Sequence, residues 1–140
     1  MIVINSIFII DDDSITVFGI KKLLSSVVIC DQITSFTNGK DAIQLIKSNI
    51  TKPEDLPDVI FLDLNMPIMD GWGFLDEIIT IPTQKIMTIN IVTSSISHSD
   101  RERAMTYKLK TQHRLTYNTK PLNKAEILKI TSTSQQDINF

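Results

Sequence analysis

FIIDDDS, residues 8–14, places three consecutive acidic residues directly after an apolar run that is typical of a buried strand. The same arrangement recurs in DVIFLD (58–63), where an acid again ends an apolar run. The first run begins at residue 6, and three further segments rich in β-branched residues also read as strands. These segments are VVICDQITSF (27–36), IMTINIVT (86–93) and RLTYNT (114–119). The sequence therefore predicts five short strands.

Stretches with helical spacing separate these strands. Apolar residues recur at intervals of three and four positions over residues 14–27 and again over 71–79, as on the buried face of a helix. Parallel neighbours in a sheet need a crossover, and a helix is the usual crossover. The alternation therefore predicts an α/β domain with a doubly wound parallel sheet and helices on both faces.

Capping residues mark several of the predicted helix starts, because their side chains can accept hydrogen bonds from free backbone N–H groups. The expected starts are Asp13, Asp70-Gly71, a capping box of Ser99 and Glu102 for the fourth helix, and Asn123 with Glu126 for the fifth.

Composition limits the possible classes of protein. The chain has 140 residues, of which 42% are hydrophobic, with a net charge of −2, so we expect one domain at residues 1–131, a polar tail at 132–140 and no effector domain. Without a Lys/Arg-rich block, we expect no direct binding to nucleic acid or to a membrane. The N-terminus lacks the features of a signal peptide. The single cysteine, Cys30, indicates a cytoplasmic protein and is interpreted as a small buried residue on a strand.

Functional groups of such sheets gather at the carboxyl ends of the strands. Asp11 and Asp12 end the first predicted strand, Asp63 the third, Thr93 the fourth and Lys120 the fifth, so all five are expected at one edge. Three carboxylates in one crevice repel each other unless a cation neutralises them. All-oxygen ligands without nearby Cys or His favour Mg²⁺, with Mn²⁺ as a substitute.

Four segments resemble, in their order along the chain, the motifs of two-component response-regulator receiver domains: FIIDDDS, DVIFLDLNMPIMDGWGFL, NIVTSS and YNTKPL. The similarity is greatest to single-domain, chemotaxis-receiver-like members of Bacteroidetes-type bacteria. It implies a flavodoxin-like (βα)5 fold with a five-stranded parallel sheet in the order 2-1-3-4-5. It also implies a phosphoacceptor signalling protein that is not a turnover enzyme on external substrates.

The resemblance implies roles for the acidic residues. Asp63 would accept a phosphoryl group from a sensor histidine kinase or a histidine phosphotransfer protein. Asp11, Asp12 and Asp63 would hold Mg²⁺ together with the backbone carbonyl of Asn65.

The remaining implied residues bind the phosphoryl group or transmit its presence. Lys120 and Thr93 would contact the group, Ser94 would admit the phosphodonor, and Tyr117 would follow Thr93 inward. This movement would change the face formed by the fourth helix, the fifth strand and the fifth helix, which an unknown target protein reads. The resemblance also implies that this chain is a monomer or a phosphorylation-dependent dimer. Residues implied to shape the loops are Pro67, Gly71 and Pro121.

Two other classes remain open. A haloacid-dehalogenase-like phosphohydrolase also uses a strand-end Asp with Mg²⁺, but that family has an acid where this chain has Asn65. A phosphate-independent interaction module would leave the intact acids incidental. The interval from Thr93 to Lys120 is longer than is usual in receivers, and the additional residues are assigned to 106–114, interpreted as a solvated basic loop. Both histidines, at 98 and 113, are interpreted as surface residues.

Overall fold

The computed structural model describes the backbone of residues 1–138 and the side chains of residues 1–132. Strands and helices alternate along this part of the chain. The strands are β1 (Ile2–Val3), β2 (Ser6–Ile10), β3 (Val28–Ile29), β4 (Gln32–Phe36), β5 (Val59–Leu62), β6 (Thr88–Thr93) and β7 (Arg114–Thr119). The helices are α1 (Ser14–Ser25), α2 (Gly39–Ser48), α3 (Gly71–Thr80), α4 (His98–Lys110) and α5 (Lys124–Ile138), with a short 3-10 turn at Pro53–Asp55.

The main sheet has five parallel strands in the order β4-β2-β5-β6-β7. Numbered as the five predicted strands, this is the order 2-1-3-4-5, so the predicted flavodoxin-like fold class is confirmed. Strands β2 and β5 lie side by side at the point where the strand order reverses, with Ile10 opposite Leu62. This reversal is the usual position of a functional site in open α/β sheets.

The core consists of two apolar layers, one on each face of the sheet. Alternate residues of β2 enter opposite layers, so Phe8 packs in one and Ile9 in the other. Helices α2, α3 and α4 cover the first layer, and α1 and α5 cover the second. Every residue of β2 and β5 is buried, which explains why these central strands are continuous apolar runs in the sequence.

The predicted strand over residues 27–36 is wrong in one respect, because the structure divides it. Strand β3 pairs with β1 in a separate two-stranded parallel sheet, whereas β4 pairs with β2 in the main sheet. Cys30 lies between β3 and β4, is only partly buried, and donates a weak hydrogen bond from Sγ to the Gln32 carbonyl. The interpretation of Cys30 as a buried strand residue is therefore wrong.

The predicted starts of α4 and α5 have different outcomes. Helix α4 has Ser97 as its N-cap, with Ser97 Oγ accepting from the Asp100 N–H at 3.4 Å, so the expected Ser99 capping box is wrong. The start of α5 is confirmed: the Asn123 N–H donates to Glu126 Oε1 at 3.0 Å, and the Glu126 N–H donates to Asn123 Oδ1 at 2.8 Å.

Two helices extend further than the sequence indicated. Helix α4 continues to Lys110, so most of the expected loop at 106–114 is helical and only residues 111–113 connect it to β7. Helix α5 continues to Ile138 through most of the expected tail at 132–140, whose last two residues lie outside the described part of the chain. Among residues 1–138, no helix combines the length and apolar character needed to cross a membrane.

His113 is buried, with 5% of its surface exposed, so the interpretation of this residue as a surface histidine is wrong. Its Nδ1 accepts a hydrogen bond from the Met87 N–H at 3.0 Å, which assigns the ring proton to Nε2, and Nε2 lies 3.5 Å from Thr83 Oγ1. Burial lowers the pKa of His113 below its usual value. A neutral imidazole thus joins the start of β7 to the segment that enters β6.

We expect His113→Phe to lower the free energy of unfolding by about 1–3 kcal/mol, because the buried Met87 N–H loses its acceptor. The pKa of His113 is lower in the folded than in the unfolded chain. Its contribution to the free energy of unfolding is therefore fully present above the pKa of the unfolded chain, and it is lost as the pH falls through the pKa of the folded chain. The stability difference between wild type and variant should therefore narrow from about pH 7.5 to about pH 5.5. Urea unfolding at both pH values measures it.

The control is His98→Phe, at an exposed position on α4, which should change stability by less than about 0.5 kcal/mol. An equal loss in both variants, or a difference that widens toward acid pH, would contradict the assigned role of His113.

Candidate functional site

Three carboxylates meet at the carboxyl edge of the central strands. Asp11 follows β2 and Asp63 follows β5, and the Asp63 N–H donates to the Ile10 carbonyl at 2.9 Å, which continues the pairing of the two strands. Each of Asp11, Asp12 and Asp63 offers an oxygen within 4.8 Å of the others. Asp11 and Asp63 are buried, whereas Asp12 is exposed. The structure therefore shows the expected convergence of the three acids.

Lys120 lies between two of these carboxylates. Its Nζ is 3.0 Å from Asp11 Oδ2 and 3.5 Å from Asp63 Oδ2, and 18% of its side-chain surface is exposed. The backbone holds it there, since the Lys120 N–H donates to the Thr93 carbonyl at 2.8 Å at the end of β7. The following peptide bond, to Pro121, is cis. The ammonium group thus faces the site rather than bulk solvent.

Burial and mutual repulsion make ionisation of the acids costly. Burial raises the pKa of Asp11, against the lowering effects of the Asp13 N–H and Lys120. Burial and the nearby Asp11 charge raise the pKa of Asp63, and Lys120 only partly opposes them. Burial alone would lower the pKa of Lys120, but Asp11 and Asp63 raise it overall. One lysine does not balance three carboxylates, so the site favours a further cation.

The oxygen donors fit a hard divalent ion. Asp11 Oδ1 is oriented by the Asp13 N–H at 2.8 Å, and Asp63 Oδ1 by the Leu64 N–H at 2.8 Å, so both carboxylates are held in place by the backbone. Asn65 follows in the same loop and is exposed. The donor set therefore suits a metal that keeps part of its water shell.

The loop after Asp63 depends on a close approach of the backbone at Gly71. The Gly71 N–H donates to the Leu64 carbonyl at 3.0 Å. A Cβ at Gly71 would overlap the Asp63 carbonyl oxygen and lie 2.9 Å from Leu64 Cα. Within the loop, the Met69 N–H donates to the Pro67 carbonyl at 2.7 Å, and Ile68 takes a left-handed φ of 68°. The absence of a side chain at 71 thus permits the close approach of the start of α3 to the backbone of Asp63 and Leu64.

A chain of hydrogen bonds joins Thr93 to α4 and β7. Thr93 is fully buried, and its Oγ1 accepts from the Ser95 N–H at 3.2 Å. Ser95 Oγ donates to Asp100 Oδ2 at 2.6 Å, and the Ser95 carbonyl accepts from the Tyr117 hydroxyl at 3.1 Å. The Arg101 guanidinium lies 4.8 Å from the centre of the Tyr117 ring. Ser94, by contrast, is exposed.

Ser95 is the residue of this site that the sequence reasoning missed. It connects the Thr93 hydroxyl, the first turn of α4 and the Tyr117 hydroxyl. The sequence contains only a weak indication of this role. A serine two residues after a threonine, in the serine-rich stretch SSISHSD, fits a local turn with a hydrogen bond between a side chain and the backbone. That pattern does not indicate which strand or helix the serine contacts.

The fold and this edge define a doubly wound α/β protein with an acidic site at its topological switch point. The chain belongs to the response regulator receiver domain family, whose model matches residues 7–132. Receiver domains are signalling domains of two-component systems and bind a divalent metal ion.

One curated relative is the sensor histidine kinase CheAY of Helicobacter pylori, which is 31% identical over 96 residues. The match covers 69% of this chain and 11% of that protein. Across the curated relatives that it matches, the chain spans between 11% and 40% of their length. The similarity therefore covers less than half of the length of each of these proteins.

Solved structures show the same fold. A two-component response regulator from Cytophaga hutchinsonii has a TM-score of 0.77 at 23% identity, over 95% of this chain and 98% of that one. The phosphorylated cyanobacterial phytochrome response regulator RcpA has a TM-score of 0.70 at 25% identity, over 95% of this chain and 91% of that one.

We expect Gly71→Ala to lower the free energy of unfolding by roughly 1–3 kcal/mol, because the added methyl group displaces the backbone at Asp63. The matched control is Gly19→Ala in α1, where a Cβ meets nothing within 4 Å. That change should stabilise the protein by roughly 0.5–1 kcal/mol, as alanine does in a helix interior. Urea unfolding of both variants measures the difference, and a neutral or stabilising Gly71→Ala would contradict the close approach.

Proposed function

We propose that Asp63 accepts a phosphoryl group and that the chain signals by the resulting change of its surface. The observation that supports this is the position of the Asp63 carboxylate, which lies within 4.8 Å of two further carboxylates and within 3.5 Å of the Lys120 ammonium. Few structural roles require a buried carboxylate in such a setting. A carboxylate nucleophile forms an acyl phosphate, as this proposal needs.

The chain's own groups have separable tasks in this reaction. Asp63 Oδ1 is held by the Leu64 N–H, which leaves Oδ2, on the side of Lys120, as the attacking oxygen. Lys120 offsets negative charge on the incoming phosphoryl oxygens. Asp11, Asp12, Asp63 and the Asn65 carbonyl would hold Mg²⁺, or Mn²⁺ in its place. When bound, the metal supplies positive charge to the phosphoryl oxygens.

Transmission of the signal would begin at Thr93. Its hydroxyl accepts from the Ser95 N–H in this structure, and a phosphoryl oxygen on Asp63 offers it a charged acceptor for its proton. Movement of Thr93 toward the site would alter the Ser95 loop, the Tyr117 hydroxyl bonded to it, and the α4-β7-α5 face. Phosphorylation shifts the protein toward the altered conformation only to the extent that Thr93 binds the phosphoryl group more favourably in that conformation.

The donor in this proposal is the phosphohistidine of a sensor histidine kinase or of a histidine phosphotransfer protein. The bond from Asp63 Oδ2 to phosphorus forms as the phosphorus–nitrogen bond breaks, and the histidine nitrogen is the leaving group. Family membership supports it, as do a curated relative named as a sensor histidine kinase and a neighbouring structure named as phosphorylated. The face that changes would be read by a downstream protein or by a second, phosphorylated copy. With one cysteine and such donors, the cytoplasm is the expected compartment.

The direct test is intact mass after incubation with acetyl phosphate, with and without Mg²⁺. We expect one phosphoryl addition to the wild type in Mg²⁺, and none to Asp63→Asn, which keeps the side-chain size but removes the nucleophile. Lys120→Met should reduce the extent of labelling, because it removes the cation beside the carboxylate.

Other results would favour other functions. No addition to the wild type, under conditions that label a control receiver, would contradict the proposal and favour a phosphate-independent module. Sustained hydrolysis of a small phosphate ester with multiple turnovers would favour a phosphohydrolase.

Trp72 provides a reporter for movement of α4. Its ring stacks on Tyr107 of α4 at 5.6 Å and lies 4.4 Å from the Arg103 guanidinium, and it is the only tryptophan of the chain. We expect acetyl phosphate to change Trp72 fluorescence in the wild type. Thr93→Val should lose most of this change while keeping the mass addition, since valine cannot donate to a phosphoryl oxygen.

The matched control is Thr34→Val, the same change at an exposed position of β4 on the other edge of the main sheet, which should keep the fluorescence response. A response in Thr93→Val equal to that of the wild type would exclude Thr93 as the residue that transmits the signal.

A further inference from the structure

The junction between β4 and α2, at residues 36–39, contacts two separate parts of the acidic site. The Phe36 carbonyl accepts from the Asp11 N–H at 2.9 Å. The Gly39 N–H donates to the Met69 carbonyl, also at 2.9 Å. A short junction therefore connects the strand end that carries Asp11 to the loop between β5 and α3.

Gly39 is buried, and the surrounding atoms leave little room for a side chain at this position. A Cβ there would lie 3.1 Å from the Met69 carbonyl oxygen, 3.2 Å from the Asp70 carbonyl oxygen and 3.1 Å from Met69 Cγ. Each of these distances is shorter than an ordinary van der Waals contact. The flexible methionine side chain can move aside, but the two carbonyl oxygens move only together with the backbone of the loop.

The loop between β5 and α3 has little freedom to give way. The Gly71 N–H donates to the Leu64 carbonyl at 3.0 Å, so the two ends of the loop are joined. Within it, the Met69 N–H donates to the Pro67 carbonyl at 2.7 Å, in a three-residue turn that places Ile68 at a φ of 68°. A β-branched residue in this left-handed region is strained and stays there only where the surrounding structure fixes it. A displacement at Met69 is therefore passed along the loop.

We propose that Gly39 is a positioning residue for the metal site, because its lack of a side chain lets the β4–α2 junction hold the loop that carries Asn65 in place relative to Asp11. This inference rests on the proposed function, in which the Asn65 carbonyl and Asp11 hold Mg²⁺. Magnesium requires nearly ideal octahedral geometry with oxygens at roughly 2.0–2.1 Å, whereas Ca²⁺ accepts longer and more variable distances. A shift of the loop by a few tenths of an ångström should therefore weaken the binding of Mg²⁺ more than that of Ca²⁺.

Gly39→Ala tests the proposal through the affinity for the metal ion alone. Electron paramagnetic resonance of the free ion measures the binding of Mn²⁺, and displacement of Mn²⁺ measures the binding of Mg²⁺ and Ca²⁺. We expect Gly39→Ala to raise the Kd for Mg²⁺ about tenfold, as is typical when a group that orients a metal ligand is changed. The Kd for Ca²⁺ should rise less. A variant that was folded by circular dichroism and merely less stable would keep the wild-type ratio of the two affinities.

The matched control is Gly73→Ala, which affects the same methionine. A Cβ at Gly73 would lie 2.9 Å from Met69 Cγ, and its three nearest atoms all belong to the side chains of Met69 and Asp70. The methionine side chain can move without its carbonyl, so this variant should keep both affinities of the wild type. Gly39→Ala should still weaken Mg²⁺ binding in a Met69→Ala background, because the two contacts with carbonyl oxygens remain.

A second measurement needs no variant. Coupling between two sites is reciprocal, so Mg²⁺ should slow hydrogen exchange of the Gly39 N–H in the wild type. The reference is the Asp41 N–H, which also lies at the start of α2 but donates to Asn38 Oδ1 at 3.0 Å and not to the loop. Exchange of the Gly39 N–H should slow by the larger factor.

Equal Mg²⁺ affinities of the wild type and Gly39→Ala would overturn the proposal. An equal loss in Gly73→Ala, a loss that disappears in the Met69→Ala background, or equal slowing of exchange at Gly39 and Asp41 would also overturn it. A wild type that binds neither Mn²⁺ nor Mg²⁺ would overturn both this inference and the proposed metal site. Metal binding without phosphoryl addition would contradict only the phosphoacceptor role of Asp63, and a loss of Mg²⁺ affinity in Gly39→Ala would still support the role of Gly39.

Discussion

The parallel pairing of β2 with β5 is the constraint on which the rest of the site depends. Each strand ends in an aspartate, and the hydrogen bond from the Asp63 N–H to the Ile10 carbonyl carries the pairing to the point where the acids begin. Both strands are buried on two faces, so a shift in register would disrupt the packing of both apolar layers. Core packing thus forces two carboxylates into one crevice, at the cost of raised pKa values for Asp11 and Asp63.

That electrostatic cost gives the site its chemical character. Lys120 offsets part of it, and the remaining negative charge suits a divalent cation. The backbone N–H of the same lysine donates to the Thr93 carbonyl. The ends of β6 and β7 are therefore connected to a side chain that contacts the carboxylates of the site. From Thr93, the contacts through Ser95 reach Tyr117 and the start of α4. A change in charge at Asp63 therefore has a continuous route of polar contacts to β7, the edge strand of the main sheet.

Residues whose environment follows from local pattern were predicted well. The central strands, the N-caps Asp13 and Asn123, and the convergence of Asp11 with Asp63 follow from short motifs and from the rule that parallel strands share an edge. The interpretations of His113 as a surface residue and of Cys30 as a buried residue are wrong. A single His or Cys has no periodic pattern that indicates its burial, which depends on segments distant in the sequence. Serines that could cap α4 occur at several neighbouring positions, so sequence alone did not select Ser97.

The sequence by itself determined the α/β class, the strand order through its resemblance to receivers, and the acids at the strand ends. These properties depend on hydrophobic period and on motifs a few residues long. Only the tertiary structure decided which oxygen of Asp63 faces Lys120, why residue 71 lacks a side chain, and that Ser95 joins Thr93 to Tyr117. Those facts depend on distances between segments far apart in the chain, and such distances are set by packing and not by local sequence.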